Sequence, residues 1–209
     1  MTDDQFHISQ IAVQVASVLA TFIVAALAIW GNQLRAWLVG PQLSLSLYDP
    51  QGEAINLTGG AKSRFYHVRV ENKRRSAHAT NVRVVLTKLS GPAADGSVPV
   101  ARLSGPVQLT WQHGHSLPQF ATLGPALNAD LGVLVNGQNF SLTTFFVPNN
   151  QDFSLLANQR IRVELQALSD ETESPPLVVD ISWDGKWSDD TQEMSKHLVV
   201  KTSTFVDSE

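Results

Sequence analysis

FYHVRVENKRRSAHATNVRVVL, Phe65 to Leu86, is the stretch whose period sets the fold class of most of this chain. Tyr66, Val68 and Val70 alternate with His67, Arg69 and Glu71, and Val82, Val84 and Leu86 alternate with Arg83 and Thr87. Successive side chains of a strand point to opposite faces, so each run predicts a half-buried strand. Lys73-Arg74-Arg75 lies between the two runs, which predicts a hairpin with three cations at its tip.

The same period recurs on both sides. It is carried by Leu43, Leu45 and Leu47; by Val107, Leu109 and Trp111; by Leu131, Val133 and Val135; and by Phe140, Leu142, Thr144 and Phe146. Ile161, Val163 and Leu165 follow, then Leu177, Val179, Ile181 and Trp183, and finally Leu198 and Val200. Turn-forming clusters separate the runs: Pro50-Gln51-Gly52, Gly59-Gly60, Gly91-Pro92 to Gly96, Pro148-Asn149-Asn150, Ser174-Pro175-Pro176 and Asp184-Gly185. About nine short strands, each with one apolar and one polar face, predict an all-β domain over residues 42–206. The expected arrangement is an immunoglobulin-like antiparallel β-sandwich, two sheets packed face to face. Asp190 with Glu193 three residues later predicts a capped helical turn that carries Met194 inward.

With Asn72, the cationic turn and Ala79-Thr80-Asn81-Val82 in place, residues 65–86 resemble adjacent strands of CARDB-like and related immunoglobulin-like adhesion or accessory domains in bacterial-type single-span proteins. The resemblance implies a sandwich with a binding or spacing role.

Upstream stands IAVQVASVLATFIVAALAIW, Ile11 to Trp30, which has no charge and three polar residues, Gln14, Ser17 and Thr21. Twenty residues at about 1.5 Å each make a helix about 30 Å long, the depth of a bilayer's hydrocarbon core. This predicts a transmembrane helix with an interfacial extension over residues 8–39, behind a short acidic tail at 1–7. Ala26-Leu27-Ala28 offers a signal-peptidase sequence, but Asp3 and Asp4 stand where a signal peptide carries basic residues, so a permanent span is expected. Trp30, Arg35 and Trp37 suit interfacial anchoring, and Gly40-Pro41 stops the helix. The first Lys or Arg is Arg35, just beyond the span, so the expected topology has the N-terminus outside a cell (inner) membrane and the β-domain in the cytoplasm; the alternative is a periplasmic or extracellular domain.

Among 209 residues, 15 Lys and Arg against 19 Asp and Glu give a net charge of −4, which argues against a nucleic-acid footprint. The absence of cysteine excludes disulfides, thiolate metal sites and Cys nucleophiles. No G-x-S-x-G, P-loop, dinucleotide or H-E-x-x-H sequence occurs. The chain is therefore expected to be no enzyme and to need no cofactor.

Four constellations remain. Gln10, Gln14, Ser17 and Thr21, with Ala25 extending a small-residue series, lie along one helix face and suit helix pairing within a bilayer, giving a homo-oligomer or, alternatively, a membrane-permeabilising pore. Lys73, Arg74 and Arg75 suit contact with anionic lipid. Trp187 with Asp189 and Asp190 suits a carbohydrate ligand, the basis of a second alternative, an envelope sugar-binding protein. His113-Gly114-His115, with His67 or Asp130 at a distance, lacks a local third metal ligand and reads as a solvated loop. The leading expectation is a non-catalytic, membrane-anchored recognition or scaffolding module. Its partners would be the bilayer, further copies of itself and an unidentified protein bound at an edge strand or end loops.

Overall fold

The computed structural model describes residues 3–74, 76–91, 100–101, 103, 105–112, 121–149 and 151–203, and the chain divides into two compact units, Met1–Gly40 and Pro41–Glu209. The first holds helix α1 (Asp3–Val39). Within it Val13–Gly31 is long and apolar enough to cross a membrane, and none of that segment is buried by the protein itself. The helix begins at Asp3, taking in the residues read as a tail; acidic residues suit a helix's first turn, where backbone N–H groups are unpaired.

The second unit runs β1 (Leu43–Leu47), β2 (Glu53–Asn56), β3 (Lys62–Asn72), β4 (Ala79–Gly91), β5 (Val100–Ala101), β6 (Val107–Gln108), β7 (Ala121–Leu123), β8 (Ala126–Val135), β9 (Phe140–Leu142), β10 (Ser154–Leu155), β11 (Gln159–Leu168), β12 (Leu177–Trp183), α2 (Thr191–His197) and β13 (Leu198–Thr202). One sheet has the order β1-β3-β8-β9-β10, with β2 also on β3; the other has β13-β12-β11-β4-β5, with β6 and β7 also on β4. Every pairing is antiparallel.

The apolar positions of both sheets form one core. Tyr66, Val68 and Val70 of β3 are buried with Val82, Val84 and Leu86 of β4, Ile161, Val163 and Leu165 of β11, and Val179 and Ile181 of β12. Near its middle the Tyr66 and Phe140 rings meet edge to face at 5.9 Å between centroids. The segment 107–112 links the sheets. Val107 and Gln108 pair with β4, whereas Trp111 bridges Ala129 of β8 and the Gln112 amide donates to Asn128.

Three local expectations change. β3 and β4 lie in different sheets, so their connection passes between sheets and is not a hairpin tip. On β8 Leu131 and Leu134 are buried, while Val133 and Val135 are only half-buried. A bulge beside Leu131 shifts the register from Tyr66↔Gly132 to His67↔Asp130, and one extra residue exchanges the faces of a strand. Third, the run from Phe140 leaves the sheet after Leu142, and Phe146 is exposed.

Helix α2 forms as its sequence requires. Asp190 caps it, accepting the Glu193 amide at 2.8 Å, and Met194 is fully buried.

Candidate functional site

The bulge in β8 sets Asp130 opposite His67 on the outward face of the first sheet. His67 is nevertheless 2% exposed. Its Nδ1 lies 2.9 Å from Asp130 and its Nε2 3.3 Å from Glu53 of β2, and Gln112 donates to the same Glu53 carboxylate. Burial opposes a charge on the ring, but hydrogen bonds and attraction from Asp130 and Glu53 outweigh it, so His67 protonates more readily than a free histidine. With the imidazolium formed, both ring nitrogens donate to carboxylates. The group cross-links β2, β3 and β8.

This pairing gives a pH signature. A raised folded-state pKa contributes stability that is complete below the unfolded value, about 6.5, and is lost as pH rises through the folded value. The thermal midpoint of the native chain should therefore exceed that of His67→Gln most at about pH 6, and the gap should narrow toward pH 9. Differential scanning fluorimetry across pH measures it; a constant gap would mean that the ring stays neutral.

A second cluster surrounds Arg64, whose alternation places it on the inward face of β3 beside Tyr66. It is 1% exposed, and its hydrogen-bond partners are the carbonyls of Gln51, Gly52 and Asp189 and the Thr191 hydroxyl. Arg64 thus ties the β1–β2 turn to the segment before α2. The three residues read as a sugar site lie in that segment. Trp187 packs half-buried against the core and donates its indole N–H to Asp189, Asp189 also accepts from Lys62, and Asp190 is the helix cap. These groups make folding contacts, while Asp189 and Asp190 remain exposed to solvent.

On the outer face of the second sheet Asp180 is 4% exposed beneath Arg160 and Arg162. Burial disfavours its charge, but hydrogen bonds from Arg162, Ser203 and Arg160 prevail and hold the carboxyl well below the usual range. Alongside lies an open depression of about 300 Å³ lined by Arg160, Trp183, Asp184, Lys196 and His197, among others. Its charges are paired: His197 with Asp184 at 2.8 Å, and Lys196 with Glu193 at 2.6 Å. Among the described residues no three His, Asp or Glu side chains are placed to hold a metal ion. His113 and His115 lie outside the described residues, as do Arg75 and the side chains of Gln10, Arg35 and Trp37.

Of the helix residues, Gln14, Ser17, Thr21, Ala25 and Trp30 are exposed, and the Thr21 hydroxyl donates to the Ser17 carbonyl at 2.9 Å within its own helix. Lys73 is exposed in the turn between sheets. That turn is held by Asn72, whose carboxamide oxygen accepts the amides of Gln42 and Arg74 at 3.1 Å each, and whose amide group donates to the Ala77 carbonyl. Sequence reasoning missed one further feature: Phe145, Phe146 and Val147 are consecutive and 53%, 52% and 61% exposed. The signal was present in Thr143-Thr144-Phe145-Phe146, where two adjacent phenylalanines cannot both face inward from one strand.

Comparison of the chain with protein-family models, curated proteins and solved structures finds no match among any of them.

Proposed function

We propose that the chain is a single-span membrane protein whose β-domain is a non-catalytic recognition or scaffolding module on the cytoplasmic side, acting as a homo-oligomer. The observation that carries this reading is Val13–Gly31: a nineteen-residue, uncharged and largely apolar segment, none of it buried, joined to a domain with its own core. Such a surface is stable only in another apolar medium. The finer fold belongs to the same proposal. The orders β1-β3-β8 and β4-β11-β12 correspond to A-B-E and C-F-G of an immunoglobulin-like sandwich, and β3 and β4 then take the places of strands B and C. The CARDB-like resemblance of residues 65–86 is retained on that basis.

Two surfaces suit a protein partner. At the end of its sheet, β13 directs toward β12 the backbone groups of odd-numbered residues, as the His197 carbonyl and Ser203 amide indicate, so Val200 and Thr202 turn theirs to the opposite side, which no other described strand pairs with. The other surface is Phe145-Phe146-Val147.

The protein is expected to stay in alkali-washed membranes, and a protease added to the outer side should leave the domain intact. Since the chain has no cysteine, Ser17→Cys in membranes should give a disulfide-linked dimer, and Leu19→Cys on another helix face much less. Extraction by alkali would end the anchor reading, digestion from outside would reverse the topology, and equal dimer yields would remove the helix-pairing face. A partner retained from solubilised membranes should be lost with Thr202→Pro or with Phe145→Ser/Phe146→Ser; retention by both variants would discard these surfaces.

A further inference from the structure

The turn between β8 and β9 holds the one Asn-Gly pair of the sequence, Asn136-Gly137. Its flanks are pinned: the Asn136 amide donates to the Lys62 carbonyl and the Gln138 amide to the Val135 carbonyl, each at 2.9 Å. Gly137 stands third in the four-residue turn 135–138 at φ +83°, the left-handed value that a type II turn requires there. Between the two bonds nothing is held. Both residues are exposed, and neither the Asn136 carboxamide nor the Gly137 N–H has a hydrogen-bond partner among the described residues. We propose that Asn136 is a site of self-modification, losing its side-chain amide through a cyclic imide formed with the Gly137 nitrogen.

The chemistry needs only solvent. A base from water takes the Gly137 amide proton, the nitrogen attacks the Asn136 Cγ, and the new C–N bond closes a five-membered ring as the side-chain nitrogen leaves as ammonia. Water then opens the ring at one of its two carbonyls, giving aspartate or, with the backbone routed through Cβ and Cγ, isoaspartate. Either product carries one carboxylate where the chain had a neutral amide. Closing the ring requires the peptide plane between 136 and 137 to swing toward the side chain. Glycine permits this, because it crosses between positive and negative φ with no Cβ to obstruct it. A Cβ placed on Gly137 would meet nothing within 4 Å, so the space beside the glycine is open. Every other asparagine of the sequence is followed by a residue with a side chain, which crowds the attacking nitrogen. The carboxamides of Asn72 and Asn128 are held by hydrogen bonds as well.

The test incubates the full chain, detergent-solubilised, in mildly alkaline water enriched in heavy oxygen. Peptides are then mapped by mass spectrometry with electron-transfer fragmentation, which separates isoaspartate from aspartate. The peptide carrying Asn136 should lose its amide and take up one heavy oxygen, with isoaspartate the larger product, while the exposed Asn139 and Asn158 stay intact. Isoelectric focusing should show the native chain gaining one negative charge. Asn136→Gln, whose longer side chain would have to close a six-membered ring, should gain none in the same time. The loss should accelerate as pH rises, since the Gly137 proton must be removed first. Retention of the amide in the folded chain overturns the inference, and its loss from the urea-unfolded chain under the same conditions would identify the turn as the shield. Aspartate without isoaspartate, which marks direct hydrolysis, overturns it too, as does equal loss at Asn139 or Asn158.

Discussion

Arg64→Ala is expected to destabilise the β-domain by about 3–5 kcal/mol, for the loss of a fully buried long side chain together with its charge-assisted hydrogen bonds to two segments. The guanidinium holds the Gln51 and Gly52 carbonyls on one side and Asp189 and Thr191 on the other, so its loss leaves the buried Gly52 carbonyl and three partly buried acceptors without this donor. Each such group costs roughly 1–3 kcal/mol. Its stem also fills space between Gly52 and Tyr66, where a Cβ on Gly52 would come within 2.7 Å of the Arg64 Cγ. Arg64→Lys should recover only part of the loss, because an ammonium cannot address two separate segments with a planar fork. Urea unfolding of the detergent-solubilised chain, followed by Trp fluorescence, measures both. A cost below about 1 kcal/mol for Arg64→Ala would show that the two segments hold together without it.

Phe140→Ala is expected to cost a similar amount, about 3–5 kcal/mol, for the loss of a large, fully buried ring and the cavity left behind. The ring packs edge-on against Tyr66 and also covers Gly132 of β8, where a Cβ would overlap the ring and come within 2.8 Å of the Ser141 carbonyl oxygen. The glycine is therefore required by the phenylalanine. Gly132→Ala alone should cost about 1–3 kcal/mol by overpacking. In the double variant the penalties should fall short of their sum, because the absent ring makes room for the new methyl group. Full additivity would mean that the Ser141 backbone, and not the ring, is what excludes a side chain at 132.

How much of this could be read from the chain itself depended on whether the information was local. The inward positions of β3, β4, β11 and β12 followed from a period of two, and the cap at Asp190 with Met194 inward followed from three-residue spacing. On β8 the same period pointed Leu131, Val133 and Val135 inward; Leu131 is buried as expected, but with a bulge of one residue Leu134 is buried in place of Val133 and Val135. No composition rule marks such a bulge, since it answers to the strand across the ladder. The Lys73 turn shows a different failure. Two strands joined by a short polar turn suggest a hairpin, but whether the second strand pairs with the first or joins the other sheet is settled by competition for partners, and β4 pairs with β11.

By itself the sequence determined that an uncharged helix long enough for a bilayer precedes a strand-rich domain, because helix length and side-chain alternation are properties of contiguous residues. Only the tertiary structure decided that His67 lies between Glu53 and Asp130, that Arg64 joins two segments more than a hundred residues apart, and that the cationic turn is bonded to Gln42. Each of these depends on strand register and sheet assignment, which are fixed by burial of the whole core and not by any one stretch.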